Sequence, residues 1–161
     1  MRHNPGSLTN LRSAVVLTSA ITFAASLTQI ALVVDGSDRG VEQLPFYGFE
    51  LLILGPWSVL DNGLNLLIWL ANPIIATTWI LYLRDARFAA LISAVTALGL
   101  TLSFLWVKCI LGPGPEGVNV ADFEMRPIIS YGIGYWLWVT SSAVLAAGVT
   151  AGNVASGITG E

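Results

Sequence analysis

Long unbroken apolar blocks alternate with short polar or glycine-rich stretches along this chain of 161 residues. Four of the blocks run approximately over residues 14–34, 64–83, 88–107 and 128–150, and none holds an Asp, Glu, Lys or Arg. A helix bathed in water keeps charge on its outward face. A helix of about 20 apolar residues instead matches the roughly 30 Å of hydrocarbon in a bilayer. The pattern predicts an all-α, polytopic membrane protein, a single domain of four transmembrane helices in an antiparallel bundle. The bundle's solvent is membrane lipid.

Two stretches test that count. The first block contains Ala24-Ala25-Ser26, the kind of small-residue stretch at which a signal peptide is cut, but its apolar run continues through Val34. That length exceeds the core of a signal peptide, about 7–15 residues, and predicts a retained helix. A fifth apolar stretch, residues 46–60, is shorter and carries Glu50 and the Gly55-Pro56 pair. Its length predicts an interfacial or re-entrant segment between the first and second spans.

The connections set the orientation. Spans two and three are joined only by Arg84-Asp85-Ala86-Arg87, which predicts a tight antiparallel hairpin. With the N-terminus in the cytoplasm, Arg2, Arg12, Arg84 and Arg87 all fall inside, while most acidic residues fall in the long loops outside. The positive-inside bias predicts a multi-pass protein of the cell's inner (cytoplasmic) membrane with both termini cytoplasmic. The connection after span three, rich in Gly and Pro over residues 111–117, reads as an outer loop, with Pro127 ahead of the fourth helix.

Small residues predict where helices meet. Ala89, Ser93, Ala97 and Thr101 recur every four positions in the third span, as do Ala14, Thr18, Thr22 and Ser26 in the first. Gly148 and Gly152 form a GxxxG in the fourth. Such ridges let backbones approach closely, within one bundle or between copies or partners. The second span carries a polar stripe. At about 100° per residue, Asp61, Asn65, Trp69, Asn72 and Trp79 fall within about 80° of one another. Pro73 follows Asn72, so the Trp69 carbonyl loses its usual backbone donor, and the Asn72 amide stands close enough to replace it. The stripe joins helices, or it lines a path or pocket.

Composition narrows the chemistry. Hydrophobic residues make up 55% of the chain and charged ones 11%, against about 25% charged in soluble domains. The mean hydropathy is +0.73. A net charge of −3, with basic residues forming no run, argues against a nucleic-acid partner. One cysteine, Cys109, cannot form an internal disulfide, and the one histidine, His3, lies in the N-terminal tail. Neither a histidine-held metal nor a haem between two histidines fits, and no cofactor is predicted. Aromatic residues, among them Tyr131, Tyr135, Trp136 and Trp138, gather toward the outer ends of the spans, as in an interfacial belt, and a quinone, pigment or acyl-chain pocket would use the same residue types.

Two likenesses follow from particular residues. Asn119-Val120-Ala121-Asp122 has the Asn-x-Ala-Asp form of a catalytic element in lipoprotein signal peptidases. The second aspartate element of that family, Asn-x-x-Asp-Arg, is absent, so no catalytic role carries over. Trp69-Leu70-Ala71-Asn72-Pro73 and Gly134-Tyr135-Trp136-Leu137-Trp138 resemble segments of small four-span inner-membrane proteins of bacteria. That resemblance implies an architecture and no activity. The expected role is non-enzymatic, through helix-face or outer-loop contacts, as an accessory subunit or inhibitor of a membrane complex, with a membrane-protein partner or a second copy. The alternatives are a small oligomeric channel or carrier lined by the second span and, third, an intramembrane enzyme using outer-face carboxylates.

Overall fold

The computed structural model describes residues 5–36, 42–56, 64–113 and 123–157. In chain order the elements are α1 (Pro5–Leu27), β1 (Ile30–Asp35), β2 (Gln43–Tyr47), α2 (Gly48–Leu54), α3 (Leu64–Trp69), α4 (Ala71–Leu83), α5 (Arg87–Ser103), a 3-10 turn (Phe104–Trp106), β3 (Cys109–Pro113), β4 (Phe123–Tyr131) and α6 (Ile133–Gly157). Four helical stretches, Asn10–Leu27, Asn65–Leu83, Arg87–Trp106 and Ile133–Val154, are long and apolar enough to cross a membrane. α3 and α4 act as one rod, because Leu70 between them keeps helical dihedrals and its N–H donates to the Leu66 carbonyl (3.1 Å).

The all-α expectation is corrected by a four-stranded antiparallel sheet in the order β2-β1-β4-β3. The first predicted span, 14–34, stops as a helix at Leu27, and its remainder becomes β1 after Thr28 and Gln29. Ile30, Val33 and Val34 are β-branched and suit a strand. The predicted fourth span, 128–150, likewise begins as strand, and α6 starts only at Ile133. Pro127 is therefore not a helix N-terminus. It stands in β4 opposite Cys109, just past Val34–Ile128, the last pair of the β1–β4 ladder. A proline has no N–H for such a ladder. There the Arg126 guanidinium donates instead to the Asp35 carbonyl through Nη1 (3.0 Å).

The predicted segment 46–60 is also more varied than a single surface helix. Phe46 and Tyr47 close β2, α2 follows, and Gly55 remains right-handed helical at φ −54°. Residues 57–60 and Asp61 lie outside the described residues. Glu50 caps α2 by accepting the Tyr47 N–H at 2.7 Å.

The sheet lies across one end of the bundle, with one face on the helix ends. Leu32 and Val34 of β1 pair with Phe46 and Leu44 of β2 and with Tyr131 and Ile128 of β4. These residues, with Ile68, Val107, Ile110 and Tyr135, make the core at this sheet end. Glycines allow the close junction there. A Cβ on Gly48, Gly132 or Gly134 would run into the backbone of residues 26–30, where α1 turns into β1. A second core fills the bundle, from Ile75 and Tyr82 through Ala90, Ala94 and Ala97 to Leu145 and Val149.

The buried ridge of α5 is thus Ala90, Ala94, Ala97 and Thr101, whereas Ala89 faces outward and Ser93 is half-buried. On α1, Ser19 and Ser26 are buried while Ala14 and Thr18 are exposed. A four-residue step turns the helix by about 400°, so a strict every-fourth ridge drifts about 40° per step off its face. Mixing steps of three and four corrects the drift. Gly148 and Gly152 do serve close packing, the first against Val15 of α1 and the second against the Tyr82 hydroxyl of α4.

At the opposite, hairpin end, Asp85 adopts a left-handed conformation with φ 62°. Its carboxylate meets Arg87 Nε and Arg12 Nη2, each at 2.6 Å. The hydrogen bond from Arg87 is the largest influence holding that carboxyl below the usual carboxylate range; burial opposes it, and Arg12 adds to the lowering. Tyr82 completes the closure by donating its hydroxyl to the Gly148 carbonyl (2.9 Å).

Candidate functional site

Beneath the sheet, the ends of α1, α2, α3–α4 and α6 border a half-open cavity of about 110 Å³. Its walls are mostly apolar, with Leu51, Leu54, Ile68, Phe104 and Ile110 prominent, and among the described residues none that lines it is charged. Asn65, Trp69 and Asn72 of the predicted stripe all face it, joined by Trp138 and Tyr135 from α6. Helical spacing explains the first three, since positions four and three apart share a face.

The polar atoms in this wall are organised around Asn72. Its Nδ2 donates to the Trp69 carbonyl at 3.0 Å, the group left without a backbone donor by Pro73. Its Oδ1 accepts the Trp138 indole N–H at 2.9 Å. One side chain therefore repairs the proline break and ties α4 to α6. Trp69 points its indole N–H at the Leu52 carbonyl of α2 (2.9 Å), and its ring lies where a Cβ on Gly55 would stand. Gly55 is thus required by Trp69, and the pair fastens α2, which has no buried residue of its own, over the cavity.

Trp79, the last member of the stripe, does not reach the cavity. About two turns beyond Asn72, it donates to Ser19 Oγ of α1 (3.0 Å), which in turn meets Ser141 Oγ of α6 (3.1 Å). Ser141 Oγ returns a bond to the Ser19 carbonyl at 2.9 Å. Thr78 and Ser93 bridge α4 and α5 in the same way (2.6 Å). These contacts satisfy hydroxyls and indoles between helices, as an apolar surround requires. The stripe therefore divides into a cavity wall near the sheet and a three-helix clasp in mid-bundle.

Sequence reasoning reached the amides and indoles on α3–α4 but missed the partners. Tyr131, Tyr135, Trp138 and Phe104 form an aromatic cluster, with Tyr131 and Tyr135 rings 4.8 Å apart and Phe104 within 6.4 Å of each of the three. Tyr135 donates to the Thr101 carbonyl (3.0 Å), and Tyr131 to those of Phe104 (3.0 Å) and Val107 (3.1 Å). Burial pushes the Tyr131 phenol above its ordinary pKa. The 135–138 spacing was the available signal. Among the described residues no three His, Cys, Asp or Glu side chains converge to hold a metal.

No family model, no curated protein and no solved structure matches this chain.

Proposed function

We propose that this is an integral membrane protein, with both termini cytoplasmic and the sheet on the outer side, that works without catalysis by contact through its sheet end. The observation that carries this reading is how the polar groups of the bundle are used. Asn72, Trp79, Ser19, Ser141, Thr78 and Ser93 bond one another or backbone carbonyls between helices. A stripe employed in this way holds a bundle together, whereas a conduction path needs polar groups facing an open route.

Outward-facing apolar residues support the membrane setting. Leu17, Ile21, Ile80, Ile92 and Val95 are all more than half exposed. Trp106, Tyr47, Phe49 and Trp136 are exposed near the sheet, where an aromatic belt favours the headgroup level. Gly148 and Gly152 are occupied inside the bundle, which turns attention from helix faces to the sheet as the contact surface. Among the described residues β2 and β3 are its edge strands, the positions at which a further strand could add.

Reconstitution tests the reading. The full chain should stay with liposomes through an alkaline wash and pass no ion or small solute. A reproducible conductance that changes with Asn65→Leu, in protein shown to be folded, refutes it in favour of a channel.

A further inference from the structure

We propose that the cavity beneath the sheet binds a neutral, flat ring bearing a carbonyl group, of the quinone class. This goes beyond the contact role and stands whether or not the sheet meets a partner. Size sets the first limit. The volume of about 110 Å³ is on the order of a cavity that accepts benzene. It is far too small for a whole lipid, so any tail of the ligand must lie outside.

Charge sets the second limit. Among the described residues no Asp, Glu, Lys, Arg or His lines the cavity, and an ion placed against these walls would lose its hydration with no counter-charge from them in return.

Shape and hydrogen bonding supply the class. Trp69, Trp138, Tyr135 and Phe104 offer ring faces and edges, which match a flat ring better than a flexible chain. An amide has two N–H groups and two acceptor sites. Asn72 uses one N–H on Trp69 and one acceptor site on Trp138. Its second N–H is the donor that a carbonyl in the cavity would take, and Asn65 places another amide on the same wall. A bare hydrocarbon would leave that donor unpaired. Binding alone is proposed, with no electron transfer.

Duroquinone and durene provide the test, because they share a tetramethyl ring, whose outer methyl groups extend into the cavity's open mouth, and differ by the two carbonyl oxygens. Duroquinone is fully substituted, so it does not add to the Cys109 thiol, and its quenching of Trp69 and Trp138 reports occupancy. With the full chain in detergent, duroquinone should quench saturably, and durene should compete about tenfold more weakly, the factor expected of one hydrogen bond. Asn72→Leu should bring the two ligands to within about twofold while durene still binds. Leu51→Phe, on the lightly packed α2, should fill the cavity and abolish saturation for both, and it keeps the proposal testable if Asn72→Leu does not fold. Quenching that never saturates in the parent, equal affinity of the parent for both ligands, or unchanged binding in folded Leu51→Phe would each overturn it.

Discussion

Asn72→Leu tests the central joint of the structure. Leucine has the same branching and number of side-chain heavy atoms as asparagine, with methyl groups bulkier than the amide, and a good helix propensity, so the change removes hydrogen bonds without emptying space. Two bonds are lost, from Nδ2 to the Trp69 carbonyl and from the Trp138 indole to Oδ1. Side-chain hydrogen bonds between helices in lipid contribute about 0.6–2 kcal/mol. The Trp138 N–H and the Trp69 carbonyl are also left without partners, and each such group costs about 1–3 kcal/mol where water does not reach it. Extra apolar contact from leucine offsets part of this, giving a net loss of about 2–4 kcal/mol.

The assay is reversible unfolding of the full chain in mixed micelles, as a double-mutant cycle with Trp138→Phe. Removing the indole N–H first should reduce the cost of Asn72→Leu by about 1 kcal/mol, because one unpaired donor is then absent. A neutral Asn72→Leu, or effects that simply add in the double variant, would refute the assignment of Asn72 as the joint between α4 and α6.

Further expectations follow from other parts of the molecule. Ser19→Ala removes the acceptor for Trp79 and a partner of Ser141, and should cost about 1–3 kcal/mol in the same unfolding assay. Gly148→Val drives a side chain into Val15 and should cost about 1–3 kcal/mol, whereas Gly99→Ala, with nothing near its Cβ position, should not destabilise. The Asp85 carboxyl has a depressed folded-state pKa, so its stabilising effect is present above the unfolded pKa and is lost as pH falls through the folded one. Asp85→Asn, which keeps a residue tolerant of positive φ, should be less stable than the parent near neutral pH. The gap should close as acid titrates the parent's carboxylate, and a gap unchanged to the lowest accessible pH would count against the ion pairs. For the proposed orientation, reporters fused after Thr9, at Arg84 and at Glu161 should read cytoplasmic, and one near Pro115 external.

Hydropathy and helical spacing by themselves determined the four long apolar helices, the tight 84–87 connection, and the common face of Asn65, Trp69 and Asn72. Each depends on neighbours within a few turns, which a one-dimensional pattern records. The repair of the Pro73 break by Asn72 was legible for the same reason, since donor and carbonyl lie three residues apart. The sheet was not legible. Ile30–Val34 and Ile128–Tyr131 are as apolar as the helices they adjoin, and only their pairing across the chain made them strands. Tertiary structure also chose which small residues are buried, Ala90 and Ala94 over Ala89, because a helix face is fixed by what packs on it. It alone brought Trp138, Phe104 and α2 around the two amides. A cavity is the space between elements, and no single segment encodes its walls.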